Sequence, residues 1–85
     1  MQDDSQTLKF GQLVRFNKPT IAYQIEIIDE SSQHAPHFNF NVVCGYKIND
    51  VVINFGNAIV CGYSFVYGDE GIVSVLSANL FRTLF

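Results

Sequence analysis

Charged residues are scarce in this chain. Lys, Arg, Asp and Glu make up only 15% of its 85 residues, against about 25% in a typical soluble domain, while 48% are apolar. Such a composition excludes an intrinsically disordered protein. It also leaves too few charges to cover every side of a monomer, and a domain this small buries only about 60–65% of its unfolded surface. We therefore predict one domain that forms a homo-oligomer.

Clustered positive charge is also absent. The five basic residues stand apart along the sequence, and the net charge is −3. Nucleic-acid binding requires Lys and Arg side chains that are grouped closely enough to displace counterions from the phosphates. We therefore predict no nucleic-acid partner, although aromatic side chains are numerous enough for base stacking.

An export signal and a membrane span are not predicted. The first nine residues, MQDDSQTLK, are polar and acidic, whereas a secretory signal needs a positive start and an apolar run. We therefore expect a cytoplasmic protein with reduced thiols. Residues 51–68 carry no charge, but Asn54, Asn57 and many β-branched residues favour strands with turns over a span in lipid.

No arrangement of residues typical of an active site occurs in the sequence. There is no Gly-x-Ser-x-Gly motif and no glycine loop that could hold a phosphate. Asp69 and Glu70 lie between two glycines, where a turn explains them better than paired acid–base catalysis. We predict a protein that is not an enzyme and has no cofactor.

Strand patterns dominate the chain and predict one β-rich domain over residues 7–85. Residues 1–6 are predicted to form a flexible tail. The clearest strand pattern is IAYQIEIID, in which apolar and polar residues alternate as in a half-buried antiparallel strand. Asn49 and Asp50 tolerate positive φ and predict a two-residue hairpin between their flanking strands. The expected strands before Gly56 cover residues 8–16, 21–29, 38–48 and 51–55.

Two courses are open at Gly56-Asn57-Ala58. These residues form a three-residue turn, or Gly56 is a bulge in one long strand that reaches Tyr67. Both courses shift the alternation by one and collect the large side chains on a single face. That face would contain Phe38, Phe40, Tyr46, Tyr63, Phe65 and Tyr67. Placement of Tyr46 and Tyr63 on opposite faces would contradict this prediction.

The C-terminal sequence IVSVLSANLFRTLF suggests a strand followed by a helix. Leucines recur every four residues, and the Ser77 hydroxyl could cap a helix that starts there. The predicted fold is therefore α+β but mostly β, with an antiparallel sheet of about five strands and one short C-terminal helix. An apolar chain end would otherwise face water, so the predicted self-association residues are Leu80, Phe81, Leu84 and Phe85.

The tetrapeptide VCGY occurs twice, ending at Tyr46 and at Tyr63. One strand, residues 51–55, lies between the two cysteines in the predicted sheet, so they are two strand spacings apart and we expect no disulfide. We predict that Cys44 and Cys61 are small core residues. Two cysteines and two histidines match a zinc site in number. Structural zinc sites usually take cysteines in close pairs, and here sixteen residues separate the two, so we do not expect a zinc site of all four residues. His34 and His37 are predicted to lie in a solvated loop, with a metal or ligand site there as the alternative.

One family resemblance rests on apolar pattern. The segments FNFNVVCGYKI and VVINFGNAIVCGYSFV, followed by SANLFRTLF, resemble the strand pair and first long helix of SecB-type export chaperones. The resemblance covers residues 38–85 and implies an oligomer with grooves for unfolded polypeptides. Our main prediction is a small non-enzymatic interaction module that self-associates through an apolar sheet face and its C-terminal segment. A chaperone-like binder of other polypeptides and a metal-dependent protein that uses His34 and His37 are the alternatives.

Overall fold

The structure, a computed structural model, describes residues 8–28 and 37–83. The described residues fold mostly into β-strands, with a single 3₁₀ turn at Ser77–Asn79. The strands are β1 (Leu13–Phe16), β2 (Thr20–Ile28), β3 (His37–Tyr46), β4 (Val51–Asn57), β5 (Tyr63–Gly68), β6 (Gly71–Leu76) and β7 (Leu80–Arg82). The predicted N-terminal tail lies outside the described residues.

All seven strands belong to one open antiparallel sheet in the order β3-β2-β6-β5-β4-β1-β7. The prediction of a mostly β, antiparallel single domain is confirmed. The count of about five strands was too low: the chain end adds β7, which pairs with β1 where a helix was predicted.

The predicted C-terminal helix was wrong. The four-residue leucine spacing does not produce one: after the 3₁₀ turn, β7 pairs antiparallel with β1 and places Leu80 opposite Phe16. Helix propensity is a weak preference that tertiary context overrides. As a strand, residues 80–82 pair with the backbone N–H and C=O groups of β1 and bury Leu80 in the core. A short isolated helix would do neither.

The predicted hairpin around Asn49 and Asp50 was also wrong in its strand pairing. The turn forms, and Asn49 has a φ of 73°, but β3 pairs with β2 whereas β4 pairs with β1 and β5. The backbone N–H of Asn49 donates to the Phe16 carbonyl, and the Phe16 N–H donates to the Asp50 carbonyl. These bonds hold the turn against the end of β1. The turn connects β3, which pairs with β2, to β4, which pairs with β1.

One face of the sheet, here called the inner face, contains the buried core. The sheet curls around this face: the rings of Phe16 on β1 and Tyr46 on β3 stack with centroids 4.8 Å apart, although four strands lie between β1 and β3 in the sheet order. Close packing across the inner face therefore replaces a second layer. The buried apolar residues are Val14, Phe16, Ala22, Val52, Val66, Val73, Val75 and Leu80.

A bulge in β3 reverses the predicted arrangement of its side chains. Ala22 pairs with Cys44, but the next residue of β2, Tyr23, pairs with Val42, so Val43 is the extra residue. Phe40 therefore lies on the opposite face of the sheet from Tyr46. Tyr46 packs on the inner face, Tyr63 lies on the other, and the predicted single face for both residues was wrong.

A second bulge lies in β4, where one of the two predicted courses placed it. The register shifts between Asn54 and Asn57, and Gly56 has a φ of 100°. The strand does not continue to Tyr67, however, because the chain turns between Ala58 and Tyr63. In that turn the Ala58 N–H donates to the Tyr63 carbonyl.

The end of the β2–β3 hairpin near Ile28 and His37 extends beyond the rest of the sheet and is here called the arm. The backbone pairing between β2 and β6 is limited to Tyr23 with Ser74, whereas β2 remains paired to β3 as far as Ile28 and His37. Most side chains of the arm are exposed on both of its faces. The arm is thus a two-stranded ribbon whose β3 side is one edge of the sheet.

Candidate interaction surface

The second face of the sheet, here called the outer face, is apolar across all seven strands. Strand alternation and the pairing registers place on it residues from every strand. They are Leu13, Arg15, Ile21, Tyr23, Ile25, Ile27, Phe38, Phe40, Val42, Val51, Ile53, Phe55, Tyr63, Phe65, Tyr67, Ile72, Ser74, Leu76 and Phe81.

Side chains on the outer face form continuous rows across the strands. Ile72 pairs with Tyr67, Tyr67 with Ile53, and Ile53 with Leu13, which makes one apolar row over β6, β5, β4 and β1. Directly opposed residues in antiparallel strands have side chains close enough to pack. The face is therefore a connected surface and not a scatter of single exposed residues.

Aromatic rings form two clusters on this surface. Phe40, Tyr23 and Tyr63 contact one another edge to face, with ring centroids 5.5 to 6.4 Å apart. Phe55 stacks on Tyr67 at 5.8 Å and also contacts Phe10 at 5.0 Å. Such pairs add a directional contribution to simple area burial and hold the rings in fixed positions.

Charge is nearly absent from the outer face. Arg15 is the one charged residue among the described strand residues that lie on it, and its guanidinium carbon lies 5.8 Å from the centroid of the Phe81 ring. That cation–π contact keeps the charge at the β1–β7 end of the sheet.

The outer face remains open to solvent despite its composition. Most of the large apolar side chains that are exposed in the described residues lie on it, and they include Tyr67, Ile72 and Leu76 at 43 to 47% exposure. Contiguous exposed apolar patches are uncommon on monomers and usually mark an interaction site. This surface is the candidate functional site.

The predicted self-association residues have different placements. Leu80 is only 2% exposed and belongs to the core, so its side chain is used within the chain. Phe81 is half-buried on the outer face beside Arg15. Leu84 and Phe85 lie outside the described residues. The sequence also predicted an apolar sheet face, and five of the six residues assigned to it lie on the outer face, whereas Tyr46 lies on the inner one.

Only one of the two candidate metal-binding histidines can be placed. His37 is the exposed first residue of β3, whereas His34 lies outside the described residues. Among the residues that are described, no group of three or more His, Cys, Asp or Glu side chains is close enough to hold a metal ion.

The two VCGY copies have different structures. Both thiols are free, as predicted. Cys44 is partly buried against the core, and burial, with a smaller effect of Glu70, raises the pKa of its thiol. Cys61 is exposed in the turn before β5, so its predicted core role was wrong. The repeat marks two chain segments and does not build a common site.

Two small cavities lie on other parts of the molecule. One, of about 280 Å³, is lined by polar groups that include Asn54, Ser64 and Ser77; the two serine hydroxyls are hydrogen-bonded to each other at 2.6 Å. The second, of about 170 Å³, is lined by Tyr46, Asp50 and Gly68 among others. The described residues that line them include no nucleophile held beside a base, which nucleophilic catalysis requires.

Comparison with known proteins found no match to this chain among family models, curated proteins or solved structures. The features that carried the resemblance to SecB-type chaperones also differ in the structure, because β3 and β4 are not neighbours and residues 77–82 form a 3₁₀ turn and a strand. In the described part of the chain, no helix has the length and apolar character needed to cross a membrane.

Proposed function

We propose that this protein is a small non-enzymatic interaction module that self-associates through its outer face. The observation that carries the proposal is the connected apolar surface over β1 to β7, on which Arg15 is the one charged residue of the described strands. Burial of apolar surface contributes roughly 25 cal/mol per Å², so such a surface has a strong tendency to leave water.

A second copy of the chain fits this surface better than a charged partner does. A twofold interface brings the same patch of both copies together, so each apolar row would meet another apolar row. Aromatic residues are enriched at the centres of protein interfaces and charged residues are depleted there, as on this face. The net charge of −3 adds only weak repulsion between copies.

The test is a pair of charge substitutions on β6. Ile72→Lys with Leu76→Lys places two ammonium groups on the outer face at side chains that are 44% and 43% exposed, so folding should be retained. Burying each charge should cost more than about 1.4 kcal/mol, and association through the outer face should weaken by at least about a hundredfold. Sedimentation velocity or sizing with light scattering measures the effect.

A matched control exists in two turns. Ile48→Lys with Ile59→Lys adds the same charge at side chains that are 55% and 48% exposed but lie outside the outer face. This control should keep the wild-type mass. A wild-type protein that is monomeric, or a face variant that associates as strongly as the control, would overturn the proposal. A monomer that suppresses aggregation of a denatured client would instead support the chaperone-like alternative.

A further inference from the structure

The strand β3 is an edge of the sheet. It is the first strand in the sheet order, and within the described residues it pairs with β2 alone. An edge strand presents a row of backbone N–H and C=O groups that are free to pair with another chain. The unbroken part of this edge runs from His37 to Val42, where it pairs with Tyr23–Ile28 in constant register.

The two edges of the sheet differ in the features that prevent pairing. The opposite edge, β7, has only three residues and ends in Arg82. Short length and charge are the usual means by which proteins block edge-to-edge association. β3, in contrast, has ten residues with the sequence HFNFNVVCGY, which contains no Lys, Arg, Asp, Glu or Pro. Its one irregularity, the bulge at Val43, lies beyond the straight segment.

We propose that β3 pairs antiparallel with β3 of a second copy, about a twofold axis at Phe40. The pairing would join the two sheets into one continuous sheet of fourteen strands. It extends self-association to a second surface, and it does not depend on contact between outer faces.

The sequence of β3 favours this register over its neighbours. With the axis at Phe40, Phe38 opposes Val42 of the second copy on the outer face, and Asn39 opposes Asn41 on the other side. An axis at Asn41 would oppose Asn39 to Val43, where the bulge breaks the strand. An axis at Asn39 would oppose Asn41 to His37, so only one pair of asparagines would face each other across the axis.

Both sides of the joined strands are compatible with pairing. On one side Phe38, Phe40 and Val42 of the two copies would make the outer faces continuous. On the other side the amide of Asn39 already donates to the Asn41 side chain at 3.4 Å, and Asn41 donates to Glu26 at 3.4 Å. Asparagine amides can donate and accept, so the same groups can continue as a ladder across the axis.

The test uses the Ile72→Lys/Leu76→Lys protein as its background, so that edge pairing is measured without contact between outer faces. In that background we expect a concentration-dependent dimer. Adding Asn39→Lys with Asn41→Lys places lysines opposite lysines and should weaken the dimer at least about tenfold. Adding Asn39→Lys with Asn41→Asp instead places each lysine opposite an aspartate, and the dimer should be retained within about threefold.

Hydrogen exchange checks the same pairing without altering β3. Those amides of residues 38–42 whose N–H groups point away from β2 should gain protection as the background protein is concentrated through its dimerisation range. A background protein that stays monomeric, protection that does not depend on concentration, or a dimer unaffected by Asn39→Lys/Asn41→Lys would overturn edge pairing. Loss of the dimer in the Lys/Asp variant, with unchanged circular dichroism, would overturn the register at Phe40. None of these results bears on the outer-face test.

Discussion

At the scale of single residues, Tyr46 connects distant parts of the sheet. Its ring stacks on Phe16 of β1 with an angle of 14° between the ring planes, and its hydroxyl lies over Gly68 of β5. The hydroxyl oxygen is buried and lacks a hydrogen-bond partner among the described residues. Gly68 is required there by space and not by φ, because an added Cβ would lie 2.6 Å from that hydroxyl and 3.1 Å from the Val52 side chain.

Gly68→Ala should therefore destabilise the protein by overpacking. A methyl group at this position would displace the tyrosine ring from Phe16, and we expect a loss of about 1–3 kcal/mol in the free energy of unfolding. Urea titration measures it. In a Tyr46→Phe background the nearest clashing atom is gone, so the same substitution should cost less. An equal cost in both backgrounds would show that the hydroxyl does not limit the space.

The ionisation of Tyr46 predicts a loss of stability at high pH. Burial, with smaller effects of Cys44, Asp69 and Glu70, raises the pKa of Tyr46 to about 12 from its ordinary 10.0. As pH rises past about 10 the unfolded chain releases this proton first, so folding becomes less favourable until the folded pKa is reached. Between about pH 8 and pH 11 the loss from this group should be about 1 kcal/mol.

Tyr46→Phe isolates this group, because every other tyrosine and lysine remains. Urea unfolding at the two pH values should show a smaller decrease in stability for the variant than for the wild type. An identical decrease in both proteins would mean that Tyr46 titrates alike in the folded and unfolded states.

At the scale of elements, two bulges determine which side chains share a face. The bulge at Val43 moves Cys44 and Tyr46 to the inner face, and the bulge near Gly56 keeps Phe55 on the outer face while Asn54 and Asn57 remain on the inner one. A bulge is the means by which one strand can serve the core at one end and an exposed surface at the other.

Gly56→Ala should be costly, whereas Gly45→Ala should not. Gly56 has a φ of 100°, which an L-residue rarely adopts, so we expect a loss of about 1–2 kcal/mol. Gly45 lies in β3, and its added Cβ would meet its nearest neighbours at 3.9 and 4.0 Å, an ordinary contact. That substitution should leave stability unchanged or raise it by up to about 1 kcal/mol. Thermal and urea unfolding of the two variants would compare them, and equal losses would contradict the explanation from φ.

At the scale of the whole molecule, the proposed contacts use two separate surfaces. The outer face would bury its side chains, whereas the β3 edge would satisfy backbone groups. A chain of 85 residues has a small core, and association through either surface would supplement it.

The two contacts should therefore be lost independently. We expect the face variant Ile72→Lys/Leu76→Lys and the edge variant Asn39→Lys/Asn41→Lys each to retain one mode of association. Only the chain that carries all four substitutions should sediment as a monomer of about 9.6 kDa across the accessible concentration range. If one pair of substitutions alone gives a monomer, the protein has a single interface.

Local pattern was sufficient for much of the fold. Alternation in IAYQIEIID predicted β2, and the Asn49-Asp50 and Gly68–Gly71 turns formed where expected. These features depend on residues that are close in sequence, and their side-chain chemistry and φ preferences follow directly from the amino-acid types.

Partners in the sheet could not be predicted in the same way. Tyr46 and Tyr63 occur in identical tetrapeptides, yet one packs on the inner face and the other on the outer face. Leu80 has helical spacing but joins β1 as a strand. Sequence by itself determined that this chain is a β-rich domain with more apolar surface than it can bury. Only the tertiary structure decided which strands pair, where the bulges fall and which face stays open, because those outcomes depend on packing between residues far apart in the chain.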